Sequence, residues 1–400
     1  MWLDILTHLA TAIGIILLVP VGVLLVQVLA AMSAPPMRAG TIVSPSRHFR
    51  VAVLVPAHDE ARGIAATLDS IRPQLLPQDR LIVVADNCTD ETAVVAARAG
   101  AEVVERHDAE RRGKGHALDF GVRFLELDPP EAVLVVDADC LLHPGSLEQL
   151  AWLCCKGERP VQALDLMHAP PGAGLNLRIA AFAWLLKNKV RPLGYARLGF
   201  PCPLMGTGMA FPWPVIRHAR LASTHLAEDM NLGIELATAG TPAVFCPEAL
   251  VTSSFPTHAK GIADQRSRWE RGHLQVIVEK VPITLWRGIA SRRLSLIAIA
   301  LDVAVPPVTI LVLALSLHAL VSGVLVALGS VRHPLLLAMA GIGSLTLATG
   351  LAWWKFGRSS VTFRELLSAP AYVLRKLPLY ARLGRGKADW LRASRGDDGK

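Results

Sequence analysis

Apolar and polar positions follow two regimes along this chain. Thr11 to Met32, Val303 to Ser330 and Leu335 to Trp354 contain no Asp, Glu, Lys or Arg. At about 1.5 Å per residue, each run is long enough to cross a hydrocarbon core of about 30 Å. They predict three membrane-spanning helices, with residues 1–34 as an N-terminal anchor, 294–331 as the second span and 334–355 as the third. Pro306 and Pro307 fall inside the second, where they would kink it or delay its start.

Residues 50–273 obey a different rhythm. Val51 to Pro56 (VAVLVP), Arg80 to Ala85, Ala101 to Glu105 and Ala132 to Val136 read as strands. Ala61 to Ile71, Glu91 to Ala99 and His116 to Leu127 read as helices between them. Continuous apolar strands alternating with helices predict an α/β domain whose mostly parallel sheet is covered on both faces. Residues 274–293 and 361–400 mix Leu, Val, Trp and Tyr with Lys and Arg and are interrupted by Pro282, Pro370 and Pro378. That composition suits short helices lying in the membrane interface, and Arg392 to Lys400 reads as a polar end.

Charge gives these segments an orientation. The 400 residues are 52% apolar with a net charge of +8. The basic residues sit after the first run (Arg38, Arg47, Arg50), before the second (Arg287, Arg292, Arg293) and after the third, while only Arg332 lies between the second and third. The positive-inside rule therefore predicts a multi-pass protein of the plasma (inner) membrane with its central domain in the cytoplasm. A cleaved signal peptide is the alternative for the first run, but Asp4 and His8 precede it where a signal peptide would be basic. A basic chain could also bind nucleic acid; here the charges flank membrane segments without a nucleic-acid motif, and anionic headgroups are the expected partner. Six cysteines without a CxxC pattern fit a reducing compartment and no zinc site.

Acidic residues follow the apolar strands, and in open α/β sheets ligands bind at that carboxyl edge. Asp137 and Asp139 form D-x-D after VLVV, and alternate residues of an extended chain face one side. Two hard oxygen donors suit Mg²⁺ or Mn²⁺ shared with a diphosphate. Asp86 ends the run LIVVAD, too early to cap the next helix, and suits a contact to a nucleotide base or ribose; Thr89 or Asp90 is the expected cap. In RRGKG, Gly113 and Gly115 let backbone approach a ligand while Lys114 offsets pyrophosphate charge. Glu228 and Asp229 open a stretch of helical spacing, where one acid complements the helix dipole and the other serves as general base. Gln265, Arg268 and Trp269 combine an amide, a phosphate binder and a flat apolar face.

The ordered set VLVPAHDE, VADNCTD, RGKGHAL, VVDADC, GTGMAF, AEDMNLG and QRSRW resembles the inverting family 2 glycosyltransferases of GT-A fold, in the membrane-bound branch with cellulose, chitin-oligosaccharide and hyaluronan synthases. The resemblance implies that Pro56, Glu60, Asp86, Lys114, Asp137, Asp139 and Arg268 bind a UDP-sugar, with the metal at Asp137 and Asp139. It implies Asp229 as general base, and Gly206, Thr207, Glu228, Gln265 and Trp269 on the acceptor side. Two departures matter: Ala227 stands where the polymerising synthases have Thr, and three spans offer little material for a polymer channel. The expected reaction is therefore transfer to a lipid-linked or membrane-held glycan in envelope or exopolysaccharide synthesis, with export or synthase subunits as possible partners. Alternatives are a processive synthase, a polyprenyl-phosphate sugar transferase and, outside enzymes, an envelope-complex scaffold.

Overall fold

A computed structural model describes residues 1–35, 48–223, 225–255 and 259–369, together with Val373; the side chains of 259–266 lie outside that description. The chain opens with α1 (Trp2–Met32). Then β1 (Val51–Ala57), α2 (Ile64–Ile71), β2 (Arg80–Asp86), α3 (Thr92–Arg98), β3 (Glu102–Arg106), α4 (Lys114–Leu125) and β4 (Ala132–Val135) alternate as the apolar pattern predicts. These four strands pair parallel in the order β3-β2-β1-β4. Val51, Val53, Val55 and Ile82, Val84 point to opposite faces of the sheet, and both sets are buried, which is why their sequence is apolar throughout rather than alternating.

Beyond β4 the pattern changes. β5 (Leu141–Leu142), α5 (Ser146–Gly157), β6 (Val161–His168), α6 (Leu175–Leu185), α7 (Arg191–Arg197), β7 (Met209–Pro212), α8 (Trp213–Ile216), α9 (Glu228–Ala239) and β8 (Val244–Ser254) complete the α/β domain. β7 runs antiparallel to both β4 and β6, so the eight-stranded sheet, ordered β3-β2-β1-β4-β7-β6-β8-β5, is mixed.

The remaining helices are α10 (Ala259–Glu279), α11 (Val281–Ala290), α12 (Leu294–Val303), α13 (Val308–Ala327), α14 (His333–Ala352) and α15 (Phe363–Leu367). Three helices are long and apolar enough to cross a membrane: Trp2–Met32, Val308–Ala327 and His333–Gly357. The segment expected as one span over 294–331 is divided, because Pro306 and Pro307 end α12 and start α13 afresh. α12 packs Leu296, Ile299 and Val303 against Met230 and Ile234 of α9, so it joins the α/β domain to the long apolar helices. α11 buries Val281, Thr284 and Gly288 and exposes Ile283, Trp286 and Ile289, an amphipathic disposition suited to an interface. Most of the second expected interfacial segment, and Arg38 and Arg47, lie outside the described residues.

Candidate active site

The loops after β1 and β2 are tied to each other. Asp59, held at φ +52°, accepts hydrogen bonds from the Thr89 amide at 2.6 Å and the Asp90 amide at 3.2 Å. Asp90 in turn accepts from Thr92 N at 2.9 Å at the start of α3, doing the work expected of Thr89 or Asp90. Glu60 N donates to Thr92 Oγ1 at 2.8 Å, and Pro56 lies in β1 beside Val84. Asp86 ends β2 as expected, but its carboxylate is shared: Arg106 Nη1 donates to Oδ1 at 2.5 Å and Asn87 Nδ2 at 2.9 Å. Both members of this ion pair are buried. Arg106 ends the neighbouring strand, and the sequence reading passed over it.

Lys114 is the first residue of α4, reached through Gly113 at φ +118°. Its ammonium forms an ion pair with Asp137 and donates to the Gly206 carbonyl at 2.7 Å. Asp137 N donates to Thr207 Oγ1 at 3.1 Å, which joins the D-x-D segment to the glycine-rich one. β4 stops at Val135, so Asp137 and Asp139 do not face one point by strand alternation. They stand on a turn closed by Cys140 N donating to Asp137 O at 3.1 Å. Asp137, Asp139 and Cys140 nevertheless offer ligand atoms all within 4.8 Å of one another. Burial pushes the Cys140 thiol well up, keeping it protonated, so the two carboxylates are the hard donors and they fit Mg²⁺ or Mn²⁺.

Asp229 reaches the same point from α9. A Cβ placed on Gly206 would stand 3.4 Å from Asp229 Oδ2 and 3.6 Å from Lys114 Nζ, in ordinary contact with both, and it is the backbone at φ +98° that calls for glycine at this junction. The carboxylates share one field. Burial, reinforced by the Asp229 charge, pushes the Glu228 carboxyl up to about 7. Burial also raises Asp137, with Lys114 opposing it and Asp139 adding to it. For Lys114 itself burial disfavours the charge, but Asp137 and Glu228 outweigh it and hold the ammonium firmly protonated.

Helix α10 carries Arg268, expected at the UDP-sugar, and Trp269, expected at the acceptor; Gln265 belongs to the same helix, with its side chain outside the described residues. Trp269 lies against Trp184 of α6, ring centroids 4.9 Å apart, and Lys187 Nζ stands 5.3 Å from the Trp184 ring. Asp165, inside β6, accepts from Asn188 Nδ2 at 2.9 Å, and burial pushes its carboxyl up to about 7, with Lys187 opposing. Asp165, Trp184, Lys187 and Asn188 were not foreseen. A single acid inside the apolar strand VQALDLMH was the available signal for the first.

Residues 48–272 match the family described as "Glycosyltransferase like family 2". The probable glycosyltransferase YdaM of Bacillus subtilis is 26% identical over 245 residues, covering 58% of this chain and 56% of that protein, so this chain spans about half of that relative's length. An uncharacterized glycosyltransferase of Mycobacterium tuberculosis is 31% identical over 193 residues, covering 42% of this chain and 82% of that protein. Among solved structures, the mannosyltransferase PcManGT of Pyrobaculum calidifontis superposes with a TM-score of 0.56 at 21% identity, over 92% of this chain and 99% of that one. A family match reaching across the whole α/β domain, on a sheet of this topology, decides the class: this chain belongs to the family 2-like glycosyltransferases and has their GT-A fold.

Proposed function

We propose that this glycosyltransferase moves a sugar from a UDP-sugar to a hydroxyl of a lipid-linked or membrane-held glycan, in one inverting displacement, in cell-envelope or exopolysaccharide synthesis at the plasma membrane. The observation that carries this reading is the meeting of Lys114, Asp137, Gly206 and Asp229 at the carboxyl edge of the sheet. Pro56, Glu60, Asp86 and Arg106 line the edge where a nucleotide would lie. Asp229 takes the proton of the acceptor hydroxyl as that oxygen bonds to the anomeric carbon, while the bond from that carbon to the UDP oxygen breaks. Lys114 and Arg268 offset the charge that collects on the departing diphosphate. Bound Mg²⁺ or Mn²⁺, held by Asp137 and Asp139, would add positive charge at the same diphosphate. Attack opposite the leaving group turns an α-linked donor into a β-linked product.

Glu228, Gly206, Thr207, Gln265 and Trp269 take the acceptor side in this reading. The exposed Trp286 and Ile289 of α11 would set that side at the headgroup level, where a lipid-held glycan presents its hydroxyl. With three candidate spans, one or a few sugars are added per acceptor. The experiment is incubation of the purified full-length protein with UDP-sugars and Mn²⁺ or Mg²⁺, with and without lipid-linked acceptors, following UDP release. GDP-mannose belongs in the panel because PcManGT was solved with GDP-Man and Mn²⁺. No metal-dependent release from any donor overturns the reading, and long chains made from a sugar nucleotide alone favour a processive synthase.

A further inference from the structure

Beneath the acceptor side lies a buried ionic cluster that the chemistry above does not use. Arg191, the first residue of α7, is 6% exposed, Asp302 of α12 is 4% exposed, and Gln27, in the apolar helix α1, is 0% exposed. Arg191 Nη2 donates to the Asp302 carbonyl at 2.6 Å and to its Oδ1 at 3.1 Å, while Arg191 Nε donates to Gln27 Oε1 at 3.1 Å. Gln27 Nε2 closes the ring by donating to Asp302 Oδ1. Helices α7 and α1 touch without a gap here, since a Cβ on Gly194 would fall 1.9 Å from the Gln27 carbonyl oxygen.

A buried ion pair is a poor stabiliser, because desolvating both charges offsets their attraction and apolar residues of equal volume do as well or better. What such a pair can supply instead is a single register between the elements it joins. One turn upstream, Leu186–Val190 forms a π turn, a rare element concentrated at functional sites. That turn carries Lys187 to the Trp184 face and Asn188 to Asp165. A cavity of about 20 Å³, room for one water, joins the two regions. Arg191 and Asp302 line it together with Lys187, Asn188, Met205 and Met230, and the two methionines adjoin Gly206 and Asp229.

We propose that Arg191 is a positioning residue for the transfer reaction: bonded to Gln27 of α1 and Asp302 of α12, it holds the π turn in the register that the acceptor side requires. Helix α1 is then part of the catalytic framework as well as an anchor. The inference rests on the site reading above.

The test replaces the whole cluster at once, as Gln27→Met, Arg191→Met and Asp302→Leu, leaving no unpaired charge and therefore a protein at least as resistant to heat. The expected result is a kcat lowered by about 10-fold or more, with the KM for the sugar nucleotide and the Kd for UDP with Mn²⁺ unchanged. Hydrogen exchange over residues 186–197 speeds up in the same variant. Should the triple variant not fold, Arg191→Lys, which keeps the charge but loses the forked geometry, shows the same split on a smaller scale. Wild-type kcat and exchange in the variant that folds overturn the proposal, and so does a parallel loss of UDP affinity, which would mean the entire site had loosened. A wild-type protein inactive on every donor would defeat the site reading instead, and the exchange at 186–197 would still decide this one.

Discussion

The two halves of the sheet contribute to the site in different ways. On the side of β1 to β4, the charged candidate groups stand at or just past a strand end or at a helix start: Glu60 follows β1, Asp86 ends β2, Asp137 follows β4 by two residues, and Lys114 opens α4. On the side of β6 to β8, Asp165 lies within a strand, Trp184, Lys187 and Asn188 sit on α6 and its π turn, and Trp269 arrives on α10. The first arrangement is local, since a parallel strand delivers whatever follows it to the ligand edge. The second exists only when several distant segments have packed. The proposed donor groups therefore have a short, position-bound signature, while the proposed acceptor wall is a tertiary product.

Removing metal donors should break the comparison most severely. Asp139→Ala is expected to abolish turnover, as is chelation of the wild type by EDTA, measured by UDP release; undiminished activity in excess EDTA would remove the metal from the scheme. Next comes the proposed general base, which stands in the first turn of α9 beside Glu228. Asp229→Asn should lower kcat by about 10²-fold or more with UDP affinity retained. If Glu228→Gln is the inactive variant and Asp229→Asn stays active, the two acids have been given each other's roles.

A smaller effect concerns protons. Glu228 and Asp165 are both pushed up to about 7 from ordinary values of 4.5 and 3.8, so the folded protein keeps protons that the unfolded chain releases. Between those values the native state binds more protons than the unfolded one, and this contribution to stability is lost as pH rises toward 7. Melting curves of the metal-free protein from about pH 5 to about pH 8 should therefore fall more steeply for the wild type than for Glu228→Gln with Asp165→Asn. Equal slopes would show that these carboxyls are not held protonated.

The smallest effect sharpens the local half: Asp90→Ala removes the bond to Thr92 N and should cost about 1 kcal/mol in chemical denaturation. A cost near zero would mean that the Asp59 bonds and the Glu60–Thr92 bond suffice to hold the two loops together.

Where the proposed donor groups stand in the fold was largely legible in advance, because their signals are short. Apolar strand followed by acid marked Asp86 and Asp137, and a glycine before a cation marked Lys114. The physical reason given for D-x-D was nevertheless mistaken, since a turn rather than an extended strand brings the carboxylates together. β7 was not legible, because a four-residue strand, MAFP, carries no mark of its direction. The break after α12 was half legible from Pro306 and Pro307. The π turn was not, because an extra residue within a helix shifts its faces without changing composition. Arg106 was missed because a cation at the end of a strand reads as surface until its partner across the sheet is known.

The zero-gap contact between Gly194 and Gln27 has a consequence for how the protein is made. Helix α1 leaves the ribosome ahead of the partners of Gln27, which follow 164 and 275 residues later. If α1 is inserted in a bilayer as proposed, its Gln27 amide waits there without them until Arg191 and Asp302 arrive. Completion of the core is thus a late, long-range closure onto a helix already inserted, the kind of step at which synthesis and quality control compete. A foreign anchor of equal length and hydropathy would insert as readily and still leave the enzyme unfinished.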